Sequence, residues 1–221
     1  MMMGNRISLH GFLVLNDTPS PRSQLISELI ANFPPTHCGH TANERTGFDR
    51  SFLEQWFNKC ITDKGEVIYY LHRNTSPAYK FWVSVSSKYK SCVRVATQTT
   101  QAEAKQYFDL IETLIPKVDC DYCTIDCRWE AQNKIHYLNE AIEPYIPLYE
   151  KEGPKTLFAK NYFGQRLCKS ENLVDEQLTD RVRVADNGIH LDLAREPWKE
   201  TPETLKKLQV TMLPLMSSLG F

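Results

Sequence analysis

The sequence lacks a surplus of charge of either sign. Its 26 basic and 27 acidic residues leave a formal net charge of −1, and no basic stripe of the kind a nucleic-acid binder carries stands out. Long apolar runs are also missing. No window approaches the roughly 18 residues that a membrane helix needs, and MMMGNRISLH at the start meets polar residues before any apolar run develops, so no secretion signal is expected. The seven cysteines are an odd number, spread along the chain, unlike a dense disulfide framework. These features lead us to expect a protein kept in the cytoplasm. Catalytic signatures are missing as well: there is no P-loop, dinucleotide fingerprint, H-E-x-x-H or G-x-S-x-G elbow, and no aromatic-basic interleaving. Internal repeats and low-complexity segments are absent.

What is present is 221 residues with 42% hydrophobic and 11% aromatic content. That is enough for a sizeable core and argues against disorder. RISLHGFLV, residues 6–14, alternates as a strand. Ser20 and Pro21 then start a helix whose apolar face is Leu25, Ile26, Leu29, Ile30 and Phe33, stopped by Pro34 and Pro35. Residues 36–48 have no period and read as loop. Asp49 caps a second helix with Phe52, Leu53, Trp56, Phe57 and Cys60 on one side. Strands follow at 66–71, 79–85 and 92–97, joined by short polar turns that favour antiparallel hairpins. Thr100 and Glu103 have capping-box spacing, and the helix after them presents Ala104, Tyr107, Phe108, Ile111, Leu114 and Ile115 before Pro116 ends it. A further strand spans 119–128. Ile135, Leu138 and Ile142 suggest a short helix, broken by Pro144 and Pro147, and Gly153-Pro154 marks the clearest internal boundary.

The sharpest patterning lies in Leu157 to Met216. It reads as a short aromatic helix (LFAKNYFGQRLC), a hairpin around Asp186-Asn187-Gly188 and a corner at Glu196-Pro197-Trp198. A terminal helix follows, opened by Thr201 and Pro202, with Leu205, Leu208, Met212, Leu215 and Leu219 inward. Pro214 shortens or kinks it. The sum is an α+β chain, a mostly antiparallel sheet with helices packed on it, forming one domain over residues 1–221 with room for two closely packed subdomains meeting near 153–154.

Candidate chemistry has to be weighed against plainer readings. Cys120, Cys123 and Cys127 are close enough in sequence for zinc. However, a strand sends Cys120 and Cys123 to opposite faces, and no tight turn accompanies them, so small buried thiols are the better reading. His37, Cys38 and His40 suit a metal or nucleophilic site, but a polar loop explains them equally well. Asp119, Asp121 and Asp126 are compatible with a hard cation or acid–base pair, yet read best as an exposed acidic strand edge, which discourages aggregation and offers a surface to a basic partner. His190 and Asp192 are half of a triad without a nucleophile and read as the polar face of an amphipathic strand.

Asn161-Tyr162-Phe163-Gly164, then a hairpin, Leu191-Asp192-Leu193 and Glu196-Pro197-Trp198, resembles the immunity protein 52 family. Proteins of that family are encoded beside polymorphic toxins, including type VI secretion effectors, and protect the producing cell. The resemblance covers about the last third of the chain. It implies a non-enzymatic protein without cofactor, metal or catalytic residues, whose partner is a cognate toxin domain, a nuclease in that family's usual pattern, rather than nucleic acid or membrane. A nuclease often has a basic groove, so acidic groups on edges and loops are the expected contacts: Asp119, Asp121, Asp126, Glu150, Glu152, Asp175, Glu176 and Asp186. Tyr145 and Tyr149 are the expected aromatic anchors. The competing expectation is an enzyme built from His37, His40 and the Cys120 to Cys127 segment.

Overall fold

The computed structural model describes residues 6–15, 27–28, 31–39, 41, 43–44, 46–49, 51, 66–75, 78–86, 92–101, 103–131, 134–137, 156–167 and 181–214. The expectations for Tyr145, Tyr149, Glu150, Glu152, Asp175 and Glu176, for the 52–60 stripe, for His40 and for the 153–154 boundary lie outside them.

The described strands are β1 (Arg6–Leu15), β2 (His37–Gly39), β3 (Thr46–Gly47), β4 (Glu66–Arg73), β5 (Tyr79–Ser86), β6 (Cys92–Thr100), β7 (Cys120–Ala131), β8 (Lys134–Tyr137), β9 (Lys160–Gly164), β10 (Val182–Ala185) and β11 (Gly188–Asp192). They form one sheet in the order β10-β11-β9-β7-β1-β6-β5-β4-β2-β3, with β8 also paired to β7. Every pairing among the described strands is antiparallel. Among the described residues, the helices α1 (Ala104–Leu114) and α2 (Pro202–Met212) give the architecture its α+β character.

β1 organises the sheet. It pairs with β6 on one side and β7 on the other, so β6 and β7 run parallel with an antiparallel strand between them, and α1 makes the crossover, a split βαβ arrangement. The inward residues of α1 are as its spacing predicts: Ala104, Tyr107, Phe108, Ile111 and Leu114 are all buried. Against them lie Cys123, Ile125 and Cys127 of β7, in the same core cluster. Removing each large side chain of this layer from water is worth about 1.5–3 kcal/mol. β7 is long enough to use its far edge twice. It pairs with β9 at Tyr122–Ile125 and with β8 at Arg128–Ala131.

Several local expectations hold. Asp49 Oδ1 accepts the Ser51 N–H at 2.9 Å, as a capping residue does. Thr201 Oγ1 accepts the Thr204 N–H at 3.1 Å, with Pro202 at the first helical position. The hairpin turns at Asp186-Asn187, where Ala185 pairs with Gly188. Trp198 is buried in a 3-10 turn, its ring 4.9 Å from that of Phe108. Gln101 Nε2 donates to Trp198 O at 2.7 Å, so the corner is bolted to the start of α1.

Other expectations fail. The aromatic helix at Leu157 to Cys168 is instead strand β9, with Lys160 to Gly164 all buried. A strand enclosed on both faces, here KNYFG, has no solvent-facing side and so lacks the polar alternation that separates strand from helix. Residues 36–48 hold two short strands rather than loop, too brief to show a period. Ile135 belongs to β8, not to a helix. The Thr100–Glu103 box does not cap: Thr100 ends β6, α1 starts at Ala104, and Glu103 makes no side-chain cap. The Thr100 hydroxyl donates to the Glu103 carboxylate instead, at 3.2 Å.

Candidate functional site

The site is built where β7 begins. Pairing with β1 slips between Val14 and Leu15, whose partners are Tyr122 and Cys120. Asp121 is the extra residue of this bulge, a device that re-aims a side chain and bends a strand. The same slip interrupts the alternation on which opposite facing of Cys120 and Cys123 depends. On the other edge, Gly164 presses against the bulge: a Cβ there would lie 2.8 Å from Cys120 O and 3.0 Å from Asp121 O, both backbone. Gly164 pairs with Gly188 of β11, where a Cβ would meet Phe163 O and the Tyr162 ring. Beside Gly164 lies a hollow of about 300 Å³, bordered by Lys117, Asp119, Tyr162, Gln165, Arg166 and Asn187 among others.

Its charges are arranged around Arg166, in the turn after β9. The Arg166 Nε donates to Asp121 Oδ1 at 2.6 Å, and Nη2 reaches Asp119 Oδ1 at 2.9 Å. The Asp121 side chain is only 1% exposed, whereas Asp119 and Arg166 are half-exposed. Two carboxylates thus share one guanidinium, a trio of net charge −1 at the mouth of the hollow. Lys117 extends from the rim to Glu28, at 2.8 Å. Asn187 O accepts both the Tyr162 hydroxyl and the Gln165 N–H, each at 2.8 Å, which fastens the hairpin tip to β9 and places exposed Asp186 beside the rim.

Of the acidic residues expected to meet a partner, the structure brings Asp119, Asp121 and Asp186 to this end of the sheet. The exposed acidic strand edge is corrected. β7 is an interior strand, and Asp121 and Asp126 are both buried. Asp126 pairs in register with His10, four rows along from Tyr122 and Val14, about 14 Å away at strand spacing. It belongs to no surface with the other three. Sequence reasoning missed Arg166. It lies 45 residues from Asp121, and no local pattern distinguishes it from an ordinary surface arginine.

A second cluster adjoins the first along β9 and β11. Lys160 Nζ lies 2.5 Å from Glu112 Oε1 and 3.5 Å from Asp192 Oδ2. Arg183 Nη2 lies 3.2 Å and 3.1 Å from the same two oxygens. Four charges from α1, β9, β10 and β11 form a closed ring. This corrects the reading of Asp192 as part of an amphipathic strand's polar face: the residue is buried. Burial raises its pKa, against the pull of Lys160 and Arg183. Its Oδ1 makes no hydrogen bond among the described residues. His190, two rows along from Asp192, packs on the Tyr162 ring at 4.9 Å. Burial, with Arg183 next in weight, pulls its pKa down to about 4, so the imidazole is neutral at pH 7.

Nucleophilic chemistry finds no support in the thiols. Cys120, Cys123 and Cys127 are free and buried, and burial pushes each thiol's pKa up, away from the reactive thiolate. His37 and Cys38 sit on β2, five positions from β7 in the sheet order, on the order of 20 Å at strand spacing. Of the alternative enzyme site's described residues, His37 and the Cys120 to Cys127 segment therefore do not meet. Among the described residues no three His, Cys, Asp or Glu side chains are grouped to hold a metal ion, and no helix is long and apolar enough to cross a membrane.

The motif residues assemble as one unit. Asn161 accepts the Phe158 N–H at 2.8 Å and donates to Phe158 O and Leu191 O at 2.9 Å each. It thereby ties the entry of β9 to β11, while Glu196-Pro197-Trp198 closes against α1. No protein-family model matches the chain, and no curated protein matches it.

Proposed function

We propose that the chain is a cytoplasmic immunity protein that binds a cognate antibacterial toxin, a nuclease effector of the type VI or polymorphic-toxin kind, and blocks its active site or its access to substrate. The observation that carries the reading is the resemblance of Asn161–Gly164, Leu191–Leu193 and Glu196–Trp198 to the immunity protein 52 family. Two features of the molecule support it. The hollow beside Arg166 offers a concave polar surface with an aromatic wall, Tyr162, and a net negative rim suited to a basic groove. The residues around it stand on strands and on the short turns at their ends rather than on a long loop, which limits the ordering cost of binding.

The test is co-expression with the product of the neighbouring gene. The expected result is a stable complex on gel filtration and rescue of growth. A neighbour that is toxic alone and remains toxic and unbound beside this chain overturns the reading. Within a complex, Asp119→Lys combined with Asp186→Lys reverses the rim charge and is expected to weaken binding at least 10-fold, since like charges then face each other across the interface.

A further inference from the structure

The geometry points to a pH-sensitive latch: His190 holds the β10–β11 hairpin closed while its imidazole is neutral, and releases β10 when it gains a proton. Among the described residues, charged groups surround this ring from α1, β9, β10 and β11. Arg183 of β10 is the direct cross-strand partner of His190, and Tyr162 of β9 is its partner on the other side. Lys160 is two rows along on β9 and pairs with Asp192, two residues from His190 on β11. From α1 comes Glu112, which bonds both Lys160 and Arg183. A neutral imidazole fits this setting. An imidazolium would stand opposite a guanidinium, with an ammonium close by, and like charges directly opposite on antiparallel strands destabilise the pair.

β10 is the element able to relieve that conflict. It ends the sheet order and pairs over four residues. Val184 is 76% exposed, and Val182 is only partly buried where it packs against the core, so apolar burial holds the strand chiefly at its first residue. Its ion pairs run through Arg183, the group that protonation repels, while Arg181, just before the strand, donates to Leu193 O. The Asp186-Asn187 turn joins β10 to β11, so release of β10 also frees a wall of the hollow.

The sign is fixed by the direction of each shift. The folded-state pKa of His190 lies below its ordinary value of 6.5, at about 4. The stability held by the neutral ring is therefore complete above 6.5 and is lost as pH falls toward 4. Asp192 acts in the opposite sense: its raised pKa makes protonation favour the closed hairpin. The His190 share is isolated by comparing wild type with His190→Gln.

Hydrogen exchange on the full chain, corrected for intrinsic rates, is followed over residues 181–192 at about pH 7.5 and about pH 5. Opening through an imidazole of pKa 6.5 when released and about 4 when held predicts a wild-type acceleration about 25-fold greater than that of His190→Gln. Equal acceleration in the two proteins overturns the latch. An NMR titration of the His190 ring in the unmodified protein, which needs no variant to fold, is expected to show a midpoint well below 6.5. A midpoint at or above 6.5 also overturns it. Arg183→Gln removes the opposed cation and is expected to raise that midpoint, and an unchanged midpoint excludes Arg183 as the repelling group.

Discussion

Asp121 and Asp192 are both buried carboxylates facing cations, but their surroundings differ in charge balance and in exposure. Asp121 meets Arg166, which is 49% exposed and shared with equally exposed Asp119. That trio carries a net −1 and stays in contact with solvent through two of its members. Asp192 meets Lys160 and Arg183, which also hold Glu112. Two cations and two anions cancel there, and Lys160 is only 10% exposed. A surplus of charge at a solvent-facing mouth projects a field that a partner can use. A neutral closed ring projects little, and its members interact chiefly with one another. The contrast separates a surface suited to recognition from a clamp joining α1 to the end of the sheet, although the two stand a few residues apart on the same strands.

The comparison breaks most sharply at Lys160. Replacing it with Met leaves Glu112 and Asp192 facing a single half-exposed guanidinium, and removing one member of a buried charge network costs about 3–5 kcal/mol. Urea unfolding is expected to show that loss, with part of it recovered in Lys160→Met combined with Asp192→Asn, which leaves no surplus buried anion. A cost under about 1 kcal/mol for the single change would mean that the ring is not a clamp.

Gly164→Ala tests the bulge itself. The new methyl cannot displace the Cys120 and Asp121 carbonyls cheaply, because they are backbone, and overpacking of this kind costs about 1–3 kcal/mol. The expected signature is a lower urea midpoint with an unchanged slope. Arg166→Ala comes next. It strips a cation from buried Asp121, but the guanidinium is half-exposed and water screens the site, so a loss nearer about 1 kcal/mol is expected. Asp121→Asn in the same background is expected to restore most of it. A loss as large as that of Lys160→Met would erase the distinction between open and closed clusters.

How much of this was legible depends on where the information sits. β1, β4, β5, β6, the β10–β11 hairpin and both helices show themselves locally, through alternation, turn residues and apolar stripes. β9 does not, because Lys160 to Gly164 is enclosed on both faces and the flanking Leu157 and Phe158 imitate a helical grouping. The acidic run at 119–126 was misread as an edge because strand order is a tertiary property: whether β7 is interior depends on β1 and β9, far away in the chain. The charge ring is further out of reach. Lys160 and Glu112 are 48 residues apart and Arg183 and Glu112 are 71 apart, and no residue of the four is unusual in its own segment. What the sequence did show at the site was Asp119, Asp121 and Asp186 as candidates, without the arginine and the paired glycines that give two of them a common geometry.

The smallest change in stability is expected at Asp119, and it sharpens the comparison for that reason. Asp119→Asn keeps the shape and one acceptor oxygen for Arg166, at a position half in water, so the unfolding free energy should move by no more than about 0.5 kcal/mol. The trio's net charge nevertheless goes from −1 to 0. If the mouth of the hollow attracts a basic toxin surface, the cost appears in association: the rate falls several-fold at low salt, the difference shrinks as salt is added, and dissociation changes little. Asp192→Asn is the matched control in the closed ring, where the same charge change should act on folding rather than on encounter. An association rate that ignores Asp119 but follows Asp192 would reverse the roles given to the two clusters.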